Sequence, residues 1–144
     1  MSEHRVYEIS DSLYTYTPNP QHRDNKVGKS KWLRAVKEED EFNIFELALK
    51  NNWILDDERN GWGLFFYNEK IKYLGVINNP RQKLSFIAKF VNDKSRNDWH
   101  GYPADHIKHT HDKPHADILN QWMIKGFIPR AKMRKILRSH PCRI

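Results

Sequence analysis

A single cysteine, Cys142, stands among the 144 residues, so no intramolecular disulfide forms and an extracellular disulfide scaffold is excluded. A reducing compartment is the expectation. Long apolar runs are missing too. None approaches the ~18–20 residues that span a bilayer, and Met1-Ser2-Glu3-His4 lacks the basic-then-apolar layout of a signal peptide. The expected location is cytoplasmic, with no membrane partner. Glycine is scarce at six residues, and the motifs GxGxxG and GxSxG are absent. Gly28-Lys29-Ser30 ends like a phosphate loop, but the first glycine of such a loop falls at position 23, which is Arg23. These absences remove the best-marked hydrolases, dinucleotide enzymes and zinc ribbons. Unmarked enzymes stay open, and no cofactor is expected.

Acid is absent where base is densest. Residues 121–144 hold seven Lys and Arg and no Asp or Glu, so residues 1–120 carry 18 of each sign and the formal net charge of +7 sits in the last 24 positions. A one-sided basic patch concentrates anions, with nucleic acid and acidic proteins as the usual partners. At 38% hydrophobic and 12% aromatic the chain is too rich in core formers to be disordered, while a mean hydropathy of -0.88 implies a polar surface. The length fits one domain over residues 1–144.

Alternation at residues 5–10 and 12–17, with Tyr14 and Tyr16 on one face, predicts a short strand pair. Residues 18–29 hold Pro18, Pro20 and Gly28 and read as a long polar loop, a candidate lid or binding arm. Residues 31–37 are expected to form one or two helical turns, and Asp40 to cap a helix over 41–51 with Phe42, Phe45 and Leu49 on its stripe. After Asn52 the period shortens to two. Strands are expected at 53–56, 62–67, 71–77 and 84–91, with turns at Arg59-Asn60-Gly61, Asn68-Glu69-Lys70 and Asn78-Asn79-Pro80. In the last of them Leu84, Phe86, Ala88 and Phe90 are expected in the core, and Lys83, Ser85 and Lys89 in water. Pro114 opens a helix with Ile118, Leu119, Trp122 and Met123 as its stripe; Gly126 ends it, and Pro129 opens a second helix to about Ser139. The expected class is α+β: an antiparallel sheet of four to six strands, with one helix in the N-terminal half and a C-terminal helical hairpin on one face.

Three stretches carry residues with chemistry. Asp98-Trp99-His100-Gly101-Tyr102-Pro103 follows the last expected strand as a corner, and His100 is a candidate general acid or base, because an imidazole titrates near neutrality. Tyr102 and His106 complete the candidate catalytic set. Residues 106–115 hold His106, His109, His111 and His115, four of the eight histidines, yet their spacing matches neither His-x-His-x-Asp-His nor HExxH, and Lys108 and Lys113 oppose a cation. The expectation is a polar loop without metal. The third stretch is the last helix, where Arg130, Arg134 and Arg138 align, with Lys132 and Lys135 beside them. Aromatics and cations also alternate among Trp62, Phe66, Tyr67, Lys70, Lys72, Tyr73, Arg81, Lys83 and Lys89, and Tyr67, Tyr73 and Tyr102 are the rings expected to be free for stacking on bases.

The leading expectation is a basic protein that binds RNA or DNA, with Arg130, Arg134, Lys135, Arg138 and Lys132 on phosphates. One alternative is a metal-independent ribonuclease in which His100 deprotonates a 2′-OH and His106 protonates the leaving oxygen. The order of one helix followed by a four-stranded meander resembles that of small ribonuclease toxins, without matched catalytic residues. A third reading is an interaction module of the inhibitor or immunity type, whose basic hairpin meets an acidic protein.

Overall fold

Short alternating segments separated by turn residues favour a sheet built from many brief strands. A computed structural model, which describes residues 5–9, 12–78 and 82–144, contains nine of them among those residues. The strands are β1 (Tyr7–Glu8), β2 (Thr15–Tyr16), β3 (Lys31–Trp32), β4 (Asn60–Tyr67), β5 (Lys70–Lys72), β6 (Gly75–Asn78), β7 (Gln82–Ser85), β8 (Ile87–Asp93) and β9 (Asp98–Pro103). The helices are α1 (Glu38–Lys50), α2 (Ala116–Ile124) and α3 (Arg130–Leu137). Six strands form one sheet in the order β1-β2-β9-β8-β4-β5, and β3-β6-β7 form a second. The class is α+β with a C-terminal helical pair, as the sequence implies. The large sheet is mixed, because β2 runs parallel to β9 with Thr15 opposite Asp98 and Tyr16 opposite Trp99.

Register decides which side chains share a face. Across β4, β8 and β9, Trp62, Lys89 and Tyr102 form one row, and Gly61, Phe90 and Gly101 form the next. Adjacent rows point to opposite faces. On the Phe90 side lies α1, whose Phe45 ring sits 5.2 Å from Phe90, 5.3 Å from Trp99 and 5.0 Å from Tyr16. Gly101 leaves room for this packing: a Cβ there would fall 2.5 Å from the Phe90 ring and 2.8 Å from the Tyr16 hydroxyl. On the Trp62 side lies the helical pair, with Trp122 5.6 Å from Trp53 and Phe127 5.0 Å from Phe66. Helices therefore cover both faces. The sheet is buried on two sides, and Ser85 and Lys89, expected in water, are buried along with Phe86, Ala88 and Phe90.

Several local expectations give way to tertiary pairing. Lys31 and Trp32 pair with β6 as a strand where the local pattern predicts helical turns, because Trp32 is buried by that pairing. Helix α1 begins at Glu38 rather than Glu41; Asp40 is its third residue, and its carboxylate accepts the Lys37 N–H at 2.9 Å. The buried stripe of α1 is Glu41, Ile44, Phe45 and Ala48, with Phe42 and Leu49 at its margins. Residues 53–56 form only a bridge, Ile54 to Gly61. The expected strand 71–77 breaks at Tyr73-Leu74 and the strand 84–91 at Phe86, where the chain passes between the two sheets, leaving Leu84 exposed. Asp98–Pro103 is a central strand instead of a corner. Asn79, Pro80 and Arg81, together with Met1-Ser2-Glu3-His4, Ser10 and Asp11, lie outside the described residues.

One buried charge ties the arm of residues 18–30 to this frame. Glu41 is 0% exposed, pairs with Arg23 Nη2 at 2.8 Å and accepts the Tyr16 hydroxyl, while Arg23 Nη1 donates to the Val36 carbonyl at 2.8 Å. Burial raises the Glu41 pKa above its ordinary value, and the Tyr16 and Arg23 bonds offset only part of that rise. Removing one partner of a buried pair strands the other charge. Arg23→Met should therefore cost about 3–5 kcal/mol at pH 7. The loss should shrink as the pH falls, since an orphaned Glu41 takes up a proton and then needs no cation. Urea unfolding of both proteins at pH 7 and pH 5 checks this, and a loss that grows at pH 5 contradicts it.

Candidate functional site

The row Trp62, Lys89, Tyr102 places a lysine inside an aromatic face. Lys89 is 1% exposed; its ammonium lies 4.1 Å from the centre of the Trp62 ring and donates to the His111 carbonyl at 2.7 Å. Burial lowers its pKa to about 8, against the opposing pull of Asp112 and Asp57. Asp112 accepts the Tyr102 hydroxyl at 2.7 Å on one carboxylate oxygen and the Asp105 N–H at 2.9 Å on the other, while its carbonyl accepts the Trp62 indole N–H at 2.9 Å. Asp105 in turn accepts the N–H groups of Ile107 and Lys108. The turn of residues 105–112 is thus pinned to the sheet at several points. Burial, then the Asp112 charge, pushes the Tyr102 phenol far up, so Tyr102 is a fixed donor and not a base.

Beside this turn lies a cavity of about 330 Å³, lined in part by His22, Ser30, Tyr102, Lys108 and His109. The His22 imidazole stacks on the Tyr102 ring, 5.0 Å between centres and 17° between planes. Its Nδ1 lies 2.9 Å from the Ser30 carbonyl and so carries the proton; among the described residues Nε2 has no partner. Burial, with help from the charges of Lys29, Lys31 and His100, holds the His22 pKa below the ordinary value, so the ring is neutral at pH 7. The sequence makes residues 18–29 a candidate lid or binding arm but does not single out His22, because nothing local says which of its polar side chains turns inward.

The other histidines separate. His100 is half-buried on β9, on the Tyr102 face, with no hydrogen bond among the described residues. His106 is buried, its Nε2 2.7 Å from the His140 carbonyl, and lines a different cavity of about 460 Å³ beneath the C-terminal segment. Burial lowers its pKa. His109 and His111 are exposed, and His115 caps α2 by accepting the Asp117 N–H. Among the described residues no group of three or more His, Cys, Asp or Glu is arranged to hold a metal ion. Tyr102 thus comes together with His22 and Asp112, not with His106.

The cations behave differently. Arg130, Arg134 and Lys135 are exposed along α3 and Arg138 at its C-terminal cap, and Lys132 is half-buried. Among the described residues none of the five forms an ion pair or a side-chain hydrogen bond. Lys132 shares a hollow of about 380 Å³ with Lys70 and Lys72 of β5, under Phe127 and Ile144. Lys72 also reaches a groove of about 720 Å³ between α1 and β4, where Tyr67 and Tyr73 both stand. Tyr67 is 61% exposed, and the half-buried Tyr73 accepts the Ile144 N–H at 3.3 Å.

The buried Lys89 leaves a signature in stability. Between pH 8 and 10.5 an unfolded chain protonates this lysine while the folded chain does not, so its contribution to stability rises with pH across that window. Lys89→Met removes the titration. Wild-type stability measured relative to the variant should climb from pH 8 to 10.5 in chemical denaturation; parallel curves would show that the ammonium is not held in a low-dielectric site.

No protein-family model matches this chain, and no curated protein or solved structure does.

Proposed function

We propose that the protein binds nucleic acid through the basic face of α3 and β5. The observation that carries this reading is that Arg130, Arg134, Lys135 and Arg138 project from one helix with no anionic partner among the described residues. Four residues of helix rise about 6 Å, so the three arginines offer a row of guanidinium groups over about 12 Å of surface. Guanidinium and ammonium groups that are solvated and unpaired bind phosphates by releasing condensed counterions. Lys132, Lys70 and Lys72 extend the same charge onto the sheet edge. An acidic protein would meet the same cations, but the exposed Tyr67 ring, which lines a groove with Lys72, favours a ligand with bases to stack. The ribonuclease alternative that pairs His100 with His106 has less support, since His106 is bound to the His140 carbonyl and faces a separate cavity.

Replacing Arg130, Arg134 and Arg138 together by alanine should weaken binding to single-stranded RNA and DNA by a similar factor across sequences. The slope of log K against log salt should flatten by about 0.7 for each phosphate that the variant no longer neutralises. Fluorescence anisotropy over a salt series reads both quantities. An unchanged slope in the triple variant, or a wild type that retains no nucleic acid at low salt, would overturn the assignment.

A further inference from the structure

The groove between α1 and β4 opens beside Lys72 of the basic face. Much of its lining is apolar, with Ile44, Leu47 and Phe65 among the residues that contribute. Tyr67, Tyr73, Asp40, Asn43 and Lys72 line it as well. At about 720 Å³ it is within the range of small-ligand sites. Lys72 belongs both to this groove and to the hollow that holds Lys70 and Lys132, so the groove is continuous with the basic face. The occupant therefore has two parts: a polyanionic chain that follows the lysines and a flat, largely apolar group with polar edges that enters beside the Tyr67 ring.

We propose that this groove receives unstacked bases of a single-stranded nucleic acid, with the exposed Tyr67 ring as stacking platform and Asn43 as a hydrogen-bonding partner for a base edge. The inference rests on the nucleic-acid reading and narrows it to single strands. An aromatic face stacks on any base, so the groove selects strandedness more than sequence. The Asn43 side chain is exposed and has no hydrogen-bond partner among the described residues, and an amide offers both a donor and an acceptor to a base edge. One oxygen of the Asp40 carboxylate accepts the Lys37 N–H at the start of α1, leaving the other free for an exocyclic amino group. A base pair inside a duplex presents no free face to such a groove, and unstacking it costs free energy that a single strand does not have to spend.

The test compares four ligands with one protein: a single-stranded oligonucleotide, its duplex, the same strand with abasic sites in place of several bases, and a polyphosphate chain of equal charge. The single strand should bind more tightly than duplex, abasic strand or polyphosphate. Tyr67→Ala, which removes an exposed ring and leaves the core alone, should lose about 5- to 150-fold in affinity for the intact strand and little for the abasic one. Asn43→Ala should lower affinity for the intact strand alone. Equal binding of intact and abasic strands, with Tyr67→Ala indistinguishable from wild type on both, would overturn the groove as a base site while leaving the basic face standing. Failure of every ligand to bind would overturn the nucleic-acid reading itself.

Discussion

The buried carboxylate and carbonyl of Asp112 fix where the C-terminal third of the chain sits. Three elements reach this residue: β4 through the Trp62 indole, β9 through the Tyr102 hydroxyl, and the turn itself through the Asp105 N–H. Each bond satisfies a group that the second face of the sheet would otherwise leave desolvated, which is costly in an interior. Helix α2 begins four residues later, at Ala116, so the helical pair is laid across the sheet from an anchored point. Lys89 adds a second tie, to the His111 carbonyl. The other tryptophans contrast with Trp62: the indole N–H groups of Trp32, Trp53, Trp99 and Trp122 are buried without a partner among the described residues, and these side chains contribute volume and ring packing to the core.

With the helical pair anchored, the fate of its cations depends on where the acids go. Glu41 is taken by Arg23 and Tyr16, Glu58 by Lys94 and Tyr14, Asp24 by Lys31, and Asp98 by the hydroxyls of Thr15 and Thr17. Those partners all lie within residues 1–120, where charges of both signs are equal in number. Helix α3 has no acid of its own and packs through Ile136 and Met133, which turns its arginines outward. Exposed cations at four-residue spacing repel one another weakly, and an arrangement of like charges on one helix costs stability unless an anion arrives.

The features of the fold visible in the sequence are those set by local pattern: the α+β class, the helices, the proline and glycine that bound the helical pair, and the basic face of α3. What stays hidden is set by distant residues coming together. Lys89 alternates with core residues as a water-facing side chain would, and only the turn of residues 105–112 folding over it turns that position inward. Lys31 and Trp32 lie in a stretch whose local pattern predicts helical turns, yet their partner is β6, on the far side of α1 and β4 in chain order. His22 is invisible for the same reason, because its environment is made by Tyr102 and Ser30. Of the rings expected to be free for stacking, Tyr67 is exposed, Tyr73 is half-buried with its hydroxyl on the Ile144 N–H, and Tyr102 is stacked against His22.

That edge explains why the two surfaces belong together. β5 is the outer strand of the large sheet, and an unprotected edge invites pairing with another chain. Lys70 and Lys72 flank Ile71 there and discourage such pairing by charge alone, so their presence does not in itself require a ligand. Their surroundings add what edge protection does not need. Lys72 lies opposite Phe65, on the α1 face where the groove opens, while Ile71 lies opposite Phe66, on the face where Phe127 of the helical pair packs. The edge strand is therefore the narrow ridge between the groove on one face and α3 on the other, and Lys72 is the cation that borders both hollows among the residues lining them. On the proposed reading, a flexible polyanion would bend over such a ridge and stay bound on both sides, whereas a stiff duplex would touch one side and leave the other empty, and that difference in stiffness would favour a single strand.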